Sequence, residues 1–255
     1  QRFFRQFQTI AGATGTAWEA AGEFWRIYGM RVVRIPLHLP CQRQELAPRI
    51  SASKEEKWAA VLLECQERHE QRQPILVGTR SVADSEELAN RLRSVGLPCQ
   101  VLNAVRHRDE AGIISGAGRE GRITIATNMA GRGTDIRLGD EVDSLGGLCV
   151  IATEFHDSGR VDRQLYGRSG RQGDPGVAIT FASIEDELAE KFLHPWVRRT
   201  LRNGLKRQAP GGRKLARFLL HRCQKRSENE AFKRRENVLK EDERKAKSLG
   251  FAKRS

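Results

Sequence analysis

The sequence has little of what membrane-spanning, secreted and zinc-binding proteins require. Its longest apolar runs, such as the one from Leu148 to Ala152, are strand-sized, whereas a membrane helix needs about 18 apolar residues. The five cysteines are scattered and never form a CxxC pair, which argues against a disulfide framework and against a zinc site. We therefore expect a protein of the reducing cytoplasm. Because the chain starts at Gln1 with no basic and apolar leader, we also expect it to be part of a longer protein.

A phosphate-binding loop is missing as well. The pattern GxxxxGK[ST] does not occur, and none of the 24 glycines is followed by lysine. Residues 108–111 read Arg-Asp-Glu-Ala and are similar to the acidic box of helicases, but they follow polar residues rather than an apolar strand. We interpret them as the first turn of a helix, where acidic side chains interact favourably with the helix dipole. A nucleotide that contacts this chain must be held mainly by another domain.

Positive charge is concentrated at one end of the chain. The sequence has 45 Lys and Arg against 32 Asp and Glu, and residues 196–255 hold 20 of the former and 6 of the latter. The part before residue 196 is therefore nearly neutral. Aromatic side chains, which stack on bases in nucleic-acid-binding proteins, are sparse in the basic part, so nucleic acid is a poor candidate partner. An anionic membrane surface, an acidic protein surface and a solvated helix all remain open for this segment.

Short β-branched runs alternate with amphipathic stretches between residues 31 and 181, which is typical of a parallel sheet with crossover helices. Strands are predicted at residues 31–35, 75–79, 100–103, 123–127, 148–153 and 177–183. Helices are predicted at residues 54–72, 81–95, 107–117 and 160–169. After residue 195 two basic helices are predicted, at residues 196–207 and 213–247. We expect an α/β domain followed by a basic helical extension, with ligands at the carboxyl ends of the strands.

One candidate binding segment is IATNMAGRGTDI, residues 125–136. Glycine allows the backbone to approach a ligand closely, and exposed N–H groups suit phosphate oxygens. The alternative is a tight turn after a strand, with an arginine that only faces solvent. The candidate binding residues of this segment are Gly131, Arg132, Gly133, Thr134 and Asp135.

A second segment, GRSGRQGD at residues 167–174, carries Arg168 and Arg171 three positions apart. Residues at this spacing share one face of a helix, so both guanidinium groups are expected to address one anionic group. An arginine beside a transferred phosphoryl group stabilises its spreading negative charge and raises the rate about a thousandfold or more. We interpret Arg168 and Arg171 as candidate catalytic residues. The alternative is a basic helix end that stops at Gly173 and Pro175.

Together these segments resemble the second nucleotide-binding domain of SecA, the preprotein translocase ATPase. The resemblance runs from about Phe3 to about Asp242, and residues 194–197 and 224–242 are similar to the segment that enters SecA's helical scaffold. The combination of TNMAGRGTD with GRSGRQGD is not shared by superfamily 2 helicases in general. The matching segments are GATGTA at 12–17, ILVGT at 75–79, VLNA at 101–104, TIATNMAGRGTD at 124–135 and GRSGRQGD at 167–174.

The resemblance implies a RecA-like sheet of the superfamily 2 helicase type, with ATP and Mg²⁺ bound mainly by a first domain outside this chain. It implies that Arg168 and Arg171 face the γ-phosphate. Residues 131–135 and Gln172 would line the cleft between the two domains, while Thr14, Gly15 and Thr16 would couple them.

The resemblance also implies an organisation and a set of partners. Residues 1–30 would be the entry from the first domain, residues 31–194 the second nucleotide-binding domain, and residues 195–255 a scaffold-like extension. The partners would be the first nucleotide-binding domain, a preprotein and a SecY-type channel. The protein would be cytoplasmic and peripheral at the inner face of the plasma membrane.

Some positions depart from the family pattern. Phe155 and Tyr166 stand where SecA proteins usually have arginine, and the loop after Asp135 is short. Polar contacts around the cleft are therefore expected to be fewer than in the family. Without a phosphate-binding loop, this chain alone is expected to hydrolyse ATP negligibly. The alternative functions are the second domain of a nucleic-acid helicase or remodeler, and a non-catalytic relative that binds lipid or a protein partner.

Overall fold

The computed structural model describes residues 3–102, 110–127 and 134–252. The chain divides into two compact units, one made of Gln1–Pro36 with Lys225–Ser255 and the other of Leu37–Gln224. Among the described residues, no helix combines the length and the apolar character needed to cross a membrane.

The larger unit is built on a parallel sheet, to which the described residues contribute seven strands. The strand order is β1-β7-β6-β3-β5-β4, and β2 continues the pairing along β7 beyond β1. Because all pairs are parallel, the carboxyl ends of the strands lie at one edge. The strands are Gln42–Glu45 (β1), Arg49–Ser51 (β2), Ile75–Thr79 (β3), Cys99–Leu102 (β4), Ile123–Thr127 (β5), Leu148–Ala152 (β6) and Pro175–Ser183 (β7).

The described residues also form eight α-helices. Ser53, Ser81 and Ser158 precede three of them, and each serine side chain accepts a hydrogen bond from a backbone N–H of the first turn, which stabilises the helix start. The helices are Ala21–Tyr28 (α1), Lys54–Glu70 (α2), Val82–Ser94 (α3), Glu110–Gly116 (α4), Gly159–Tyr166 (α5), Glu187–Phe192 (α6), Pro195–Lys206 (α7) and Gly212–Ala252 (α8).

Helices cover both faces of the sheet. Alternate residues of a strand point to opposite sides, so one strand contributes to the cores on both faces. Ile75 and Val77 of β3 pack with α2 and α3 in one core cluster. Leu76, between them, belongs to a cluster with Leu148, Val150 and residues of α4. The predicted α/β class, a parallel sheet flanked by helices, is confirmed.

A third core cluster joins the end of the sheet to the helices that follow it. It contains Ile50 of β2 and Ile184 just after β7, together with Leu201 of α7 and Ala216 and Leu220 of α8. α7 and the first part of α8 therefore pack against the larger unit through buried apolar side chains.

Two predicted elements differ from the structure. Residues 31–35 form no strand, and the strands at that edge are instead β1 and β2, which pair with β7. The helix predicted at residues 160–169 ends at Tyr166, because three glycines follow in quick succession and Gly170 has a left-handed backbone (φ 65°).

The smaller unit contains α1 and the second part of α8. The guanidinium group of Arg235 donates to both carboxylate oxygens of Glu23, at 2.5 and 2.7 Å, and Arg26 lies over the ring of Phe232, 5.7 Å from its centroid. These charge and ring contacts hold α1 against α8 within this unit.

Candidate functional site

The three loops expected to hold a ligand begin side by side at the carboxyl edge of the sheet. β3 lies between β5 and β6, with Thr79 opposite Thr127 and Gly78 opposite Ala152. Thr153 continues this contact, since its N–H and its hydroxyl both donate to the carbonyl of Gly78. The segment that leads to Thr134 therefore leaves the sheet from β5, and the segment that leads to Arg168 leaves it from β6. Both start at the centre of this edge.

Arg168 and Arg171 lie in the turn after α5 and not on a helix, so the expectation of a shared helical face is wrong. They nevertheless converge on one segment. Nη1 of Arg168 donates to the carbonyl of Thr134 at 2.8 Å, and Nη1 of Arg171 forms an ion pair with Asp135. Nε of Arg171 also donates to the carbonyl of Gly167 at 2.9 Å. The structure thus joins the two segments that sequence analysis selected separately.

The other predicted cleft residues have different outcomes. Gly131, Arg132 and Gly133 lie outside the described residues. Thr134 is half-buried and Asp135 is exposed. Gln172 is also exposed and adopts a left-handed backbone conformation (φ 52°).

Neighbouring strands fix the backbone of the arginine turn, residues 167–173. The hydroxyl of Ser169 donates to the carbonyl of Leu148 at 2.7 Å. Nη1 of Arg43, on β1, donates to the carbonyls of Tyr166 and Ser169, both at 3.3 Å. A Cβ atom on Gly176 would lie 1.9 Å from the hydroxyl oxygen of Ser169, so this position of β7 requires glycine.

Arg43 and Ser169 were not singled out by sequence analysis. Arg43 lies in a polar edge strand of the sequence QRQE, which has no strand-like alternation. Nothing in the sequence near Arg43 indicates the turn more than 120 residues away that it contacts. Ser169 lies between the two candidate arginines, and its place within the GRSGR segment was its only signal.

The residues predicted to couple two domains lie in the smaller unit. Thr14 and Gly15 are exposed and Thr16 is half-buried. The backbone N–H of Thr16 donates to the hydroxyl of Thr14 at 3.3 Å, which gives this segment a local turn.

The two departures from the family pattern lie in packed positions here. Phe155 is half-buried and packs against the third core cluster. The hydroxyl of Tyr166 forms a hydrogen bond with that of Thr180, and burial raises the pKa of Tyr166 to about 12. Both side chains therefore serve packing at positions where the family usually has a charge.

A buried polar cluster lies beside the carboxyl ends of β3, β6 and β7. Nζ of Lys57 is 2.5 Å from Oδ1 of Asp186, and Oδ2 of Asp186 accepts from the N–H of Ser183 at 2.6 Å. Burial raises the pKa of Asp186, and Lys57 and the Ser183 N–H oppose that shift. Glu154 lies in the same cluster. Burial and the charge of Asp186 raise its pKa to about 7, against the opposing effects of Lys57, Arg80 and His156.

Replacing Glu154 by glutamine is expected to stabilise the protein above pH 7. An ordinary carboxyl with a pKa of 4.5 ionises in the unfolded chain before it does so in the folded protein, where the pKa is about 7. The native state therefore binds more protons between these values, and the free energy of unfolding falls as pH rises through that window, by roughly 3 kcal/mol at most.

The measurement is urea unfolding at intervals from pH 5 to pH 8.5. Glu154→Gln should flatten the pH dependence that the natural chain shows. Glu67→Gln, an exposed position on α2, is the control and should leave that dependence intact. A glutamine variant that is less stable than the natural chain at pH 8.5 would contradict the assignment.

The arginine turn suits one side of a polyphosphate. Two guanidinium groups held within reach of residues 134 and 135 form the donor set that phosphate oxygens prefer. In the described part of the chain, no three His, Cys, Asp or Glu side chains are grouped so that they could hold a metal ion. The two guanidinium groups are therefore chemically suited to bind an anionic group such as a phosphate.

The sequence comparisons with known proteins agree on one family. The sequence profile of the SecA P-loop domain matches residues 40–145 and 139–207. A protein translocase subunit SecA 2 from Bordetella avium is 46% identical over 252 residues, which is 99% of this chain and 38% of the relative. A protein translocase subunit SecA from Fervidobacterium nodosum is 54% identical over 192 residues, which is 75% of this chain and 22% of the relative. This chain thus spans less than two fifths of either relative.

Among solved structures, that of the E. coli DEAD-box protein SrmB bound to the regulator of ribonuclease activity A aligns with a TM-score of 0.46 at 23% identity. The alignment covers 63% of this chain and 88% of that chain.

Proposed function

Because this chain belongs to the SecA family, we propose that it is the second nucleotide-binding domain of an ATPase that drives protein translocation. The RecA-like sheet of the larger unit forms one wall of a nucleotide site. A first domain supplies the phosphate-binding loop, a pattern that this sequence does not contain. The observation that best supports the proposal is the convergence of Arg168 and Arg171 on Thr134 and Asp135.

The proposed task of both arginines is to stabilise charge. When the two domains close, the guanidinium groups approach the terminal phosphate, and Arg171 exchanges Asp135 for a phosphate oxygen. Arg168 stays anchored by the carbonyl of Thr134, so one of its other N–H groups points to the same phosphate. Charge that spreads over the phosphoryl oxygens during transfer is then matched by fixed positive charge.

ATP with Mg²⁺ supplies the phosphoanhydride bond and the metal charge for this reaction. We propose that both are held mainly by the first domain. Gly131, Arg132, Gly133 and Gln172 are assigned to the rim of the same cleft, on the basis of the family resemblance alone.

The remaining assignments complete the proposal. Residues 1–30 are the entry from the first domain and carry the coupling segment Thr14–Thr16, residues 31–194 are the second nucleotide-binding domain, and residues 195–255 begin the helical scaffold. A preprotein and a SecY-type channel are the proposed partners, at the cytoplasmic face of the plasma membrane. Opening and closing of the two domains around ATP would move the parts that hold the polypeptide.

The experiment that tests the proposal is complementation. This chain is mixed with the first nucleotide-binding domain of the same protein, and ATP turnover is compared with that of each part alone. Turnover that appears only in the mixture, and that requires Arg168 and Arg171, supports the proposal. Turnover by the first domain alone at the full rate of the mixture argues against it.

A second proposal concerns the basic hairpin, defined as α7, α8 up to Gln224 and the loop between them. It contains nine Lys and Arg and no Asp or Glu. Arg198 and Arg202 pair with Glu190 and Glu185, and Arg217 donates to the carbonyl of Pro48. The other six are exposed and have no acidic partner among the described residues: Arg199, Lys206, Arg207, Arg213, Lys214 and Arg222.

Exposed apolar side chains lie on the same hairpin. Trp196, Leu215 and Phe218 are 65%, 52% and 56% exposed, and the guanidinium of Arg222 lies over the ring of Phe218. Basic residues interspersed with exposed aromatic and aliphatic ones are typical of a helix that rests on an anionic lipid surface. We propose that the basic hairpin binds the anionic leaflet.

Binding to vesicles checks this proposal. The chain should co-sediment with phosphatidylglycerol-containing vesicles and not with neutral ones, and reversing Arg199, Arg207 and Lys214 to glutamate should weaken binding at least about tenfold, since each basic residue near the leaflet contributes about 1 kcal/mol. The control reverses the same number of exposed charges elsewhere, at Arg93, Arg119 and Arg122. Equal binding to both kinds of vesicle, or an equal loss in the control, would refute it.

A further inference from the structure

A buried hydrogen-bond network links α8 to α5, and neither the family resemblance nor the proposed function assigns it a role. Nε2 of Gln224, on α8, donates to Oδ2 of Asp162 at 2.6 Å and to the carbonyl of His156 at 2.9 Å. Oδ1 of Asp162 lies 3.1 Å from the donating N–H of His156 and 2.5 Å from its Nδ1. All three residues are at most 4% exposed.

Each donor in the network matters, because a buried carboxylate needs hydrogen-bond donors on both of its oxygens. Asp162 is buried away from solvent, so each lost donor leaves a carboxylate oxygen buried and unpaired, which is costly. Gln224 uses both hydrogens of its amide, one for Asp162 and one for the backbone carbonyl of His156. It thus fixes the start of α5 relative to the loop after β6, in which His156 lies.

α5 carries this constraint directly to the arginine turn. The helix is only eight residues long, from Gly159 to Tyr166, and Asp162 lies in its first turn. Backbone hydrogen bonds then continue without a break: the N–H groups of Gly167, Arg168 and Ser169 donate to carbonyls of Arg163, Leu165 and Tyr166. A shift of α5 at Asp162 therefore moves the backbone from which Arg168 and Arg171 extend.

We infer that Gln224 is a positioning residue for Arg168 and Arg171, acting through Asp162 and His156. The first part of α8 is the last element of the larger unit, and Gln224 is the last residue of that unit. The backbone position of the arginine turn therefore depends on the side chain of Gln224, on α8. The positions of the two guanidinium groups depend on whether Gln224 keeps its hydrogen bonds. The catalytic consequence rests on the proposed function, whereas the positional one does not.

Amide hydrogen exchange of this chain tests the positional claim. Gln224→Leu keeps the size and burial of the side chain but removes both donors. Exchange at Gly167, Arg168 and Ser169 should accelerate about tenfold or more, while the amides of Ile75 and Cys149, bonded to Arg122 and Pro74, should keep their rates. Gln66→Leu makes the same chemical change at an exposed helical position and should alter neither set.

A charge swap separates a direct contact from a general packing effect. Gln224→Glu places a second carboxylate against Asp162 and should accelerate exchange of the turn as strongly as leucine does. Adding Asp162→Asn supplies an amide donor to the new carboxylate and keeps an acceptor for His156, so at least part of the protection should return. A double variant less protected than Gln224→Glu alone would overturn the direct pairing.

The hydrogen-exchange results test the positional inference separately from the proposed ATPase function. Unchanged exchange in the turn of Gln224→Leu, or an equal acceleration at Ile75 and Cys149, overturns the inference whatever the enzyme does. If the inference holds and the complementation assay shows turnover, Gln224→Leu should lower kcat while leaving KM for ATP within about twofold, because it misplaces groups that act in the transition state. If turnover never appears, the exchange result stands by itself.

Discussion

Replacing either Arg168 or Arg171 by alanine is expected to reduce ATP turnover in the complemented enzyme by about a thousandfold. Both guanidinium groups are anchored at the carboxyl edge of the sheet, one on Thr134 and one on Asp135. Loss of either removes fixed positive charge from the developing transition state, where nothing else in the described turn replaces it. The measurement is steady-state phosphate release at saturating ATP.

The same experiment includes a matched control. Arg160 lies on α5, two turns before Arg168, and is exposed, so Arg160→Ala removes the same charge from the same helix away from the turn. It should retain nearly full turnover. Arg168→Lys and Arg171→Lys test geometry, since lysine keeps the charge but loses the planar fork of donors. Unchanged turnover in both alanine variants would refute the finger assignment while leaving the family membership untouched.

Removing Asp186 is expected to destabilise the fold by about 3–5 kcal/mol, because it leaves the ammonium group of Lys57 buried without a partner. Both side chains of this pair are nearly inaccessible, and Asp186 also accepts from the Ser183 N–H. Asp186→Ala should therefore lower the midpoint of urea unfolding sharply at pH 7.

Two further variants show that the loss comes from the unpaired charge. The double variant Lys57→Met with Asp186→Leu removes both charges together and should recover much of the lost stability, since apolar replacement of a buried ion pair is often neutral. Glu55→Ala breaks the exposed pair with Arg91 and should leave the midpoint nearly unchanged. A double variant as unstable as Asp186→Ala would indicate that packing, and not the buried charge, is responsible.

Sequence patterns located the sheet well where strands are buried on both faces. β3, β5 and β6 are short apolar and β-branched runs, a pattern typical of central parallel strands, and their predicted positions are confirmed to within one residue. The edge was predicted wrongly. Residues 31–35 have the propensity of a strand, but β7 pairs instead with the polar segments Gln42–Glu45 and Arg49–Ser51, because main-chain hydrogen bonds at an edge depend little on side-chain type.

The arginine turn was predictable only in part. The spacing of glycine and arginine identified Arg168 and Arg171, and the segment after β5 identified Asp135, but no sequence rule joins positions more than 30 residues apart. The contacts made by Arg43, Gln224 and the pair of Lys57 with Asp186 are longer-range still. Each depends on how helices and strands pack in three dimensions, which local periodicity does not encode.

In this structure the guanidinium group of Arg171 already has a partner, the carboxylate of Asp135, and this affects its attraction for other anions. A guanidinium that already has a carboxylate has little to gain from a dilute inorganic anion, because the exchange replaces one partner by another of similar strength. Under the proposed function, a phosphate delivered by a closing domain would arrive at high local concentration and with greater charge, and it would displace Asp135. Under the proposed function, Asp135 would thus make Arg171 favour a phosphate presented by the other domain over free phosphate in the surrounding solution.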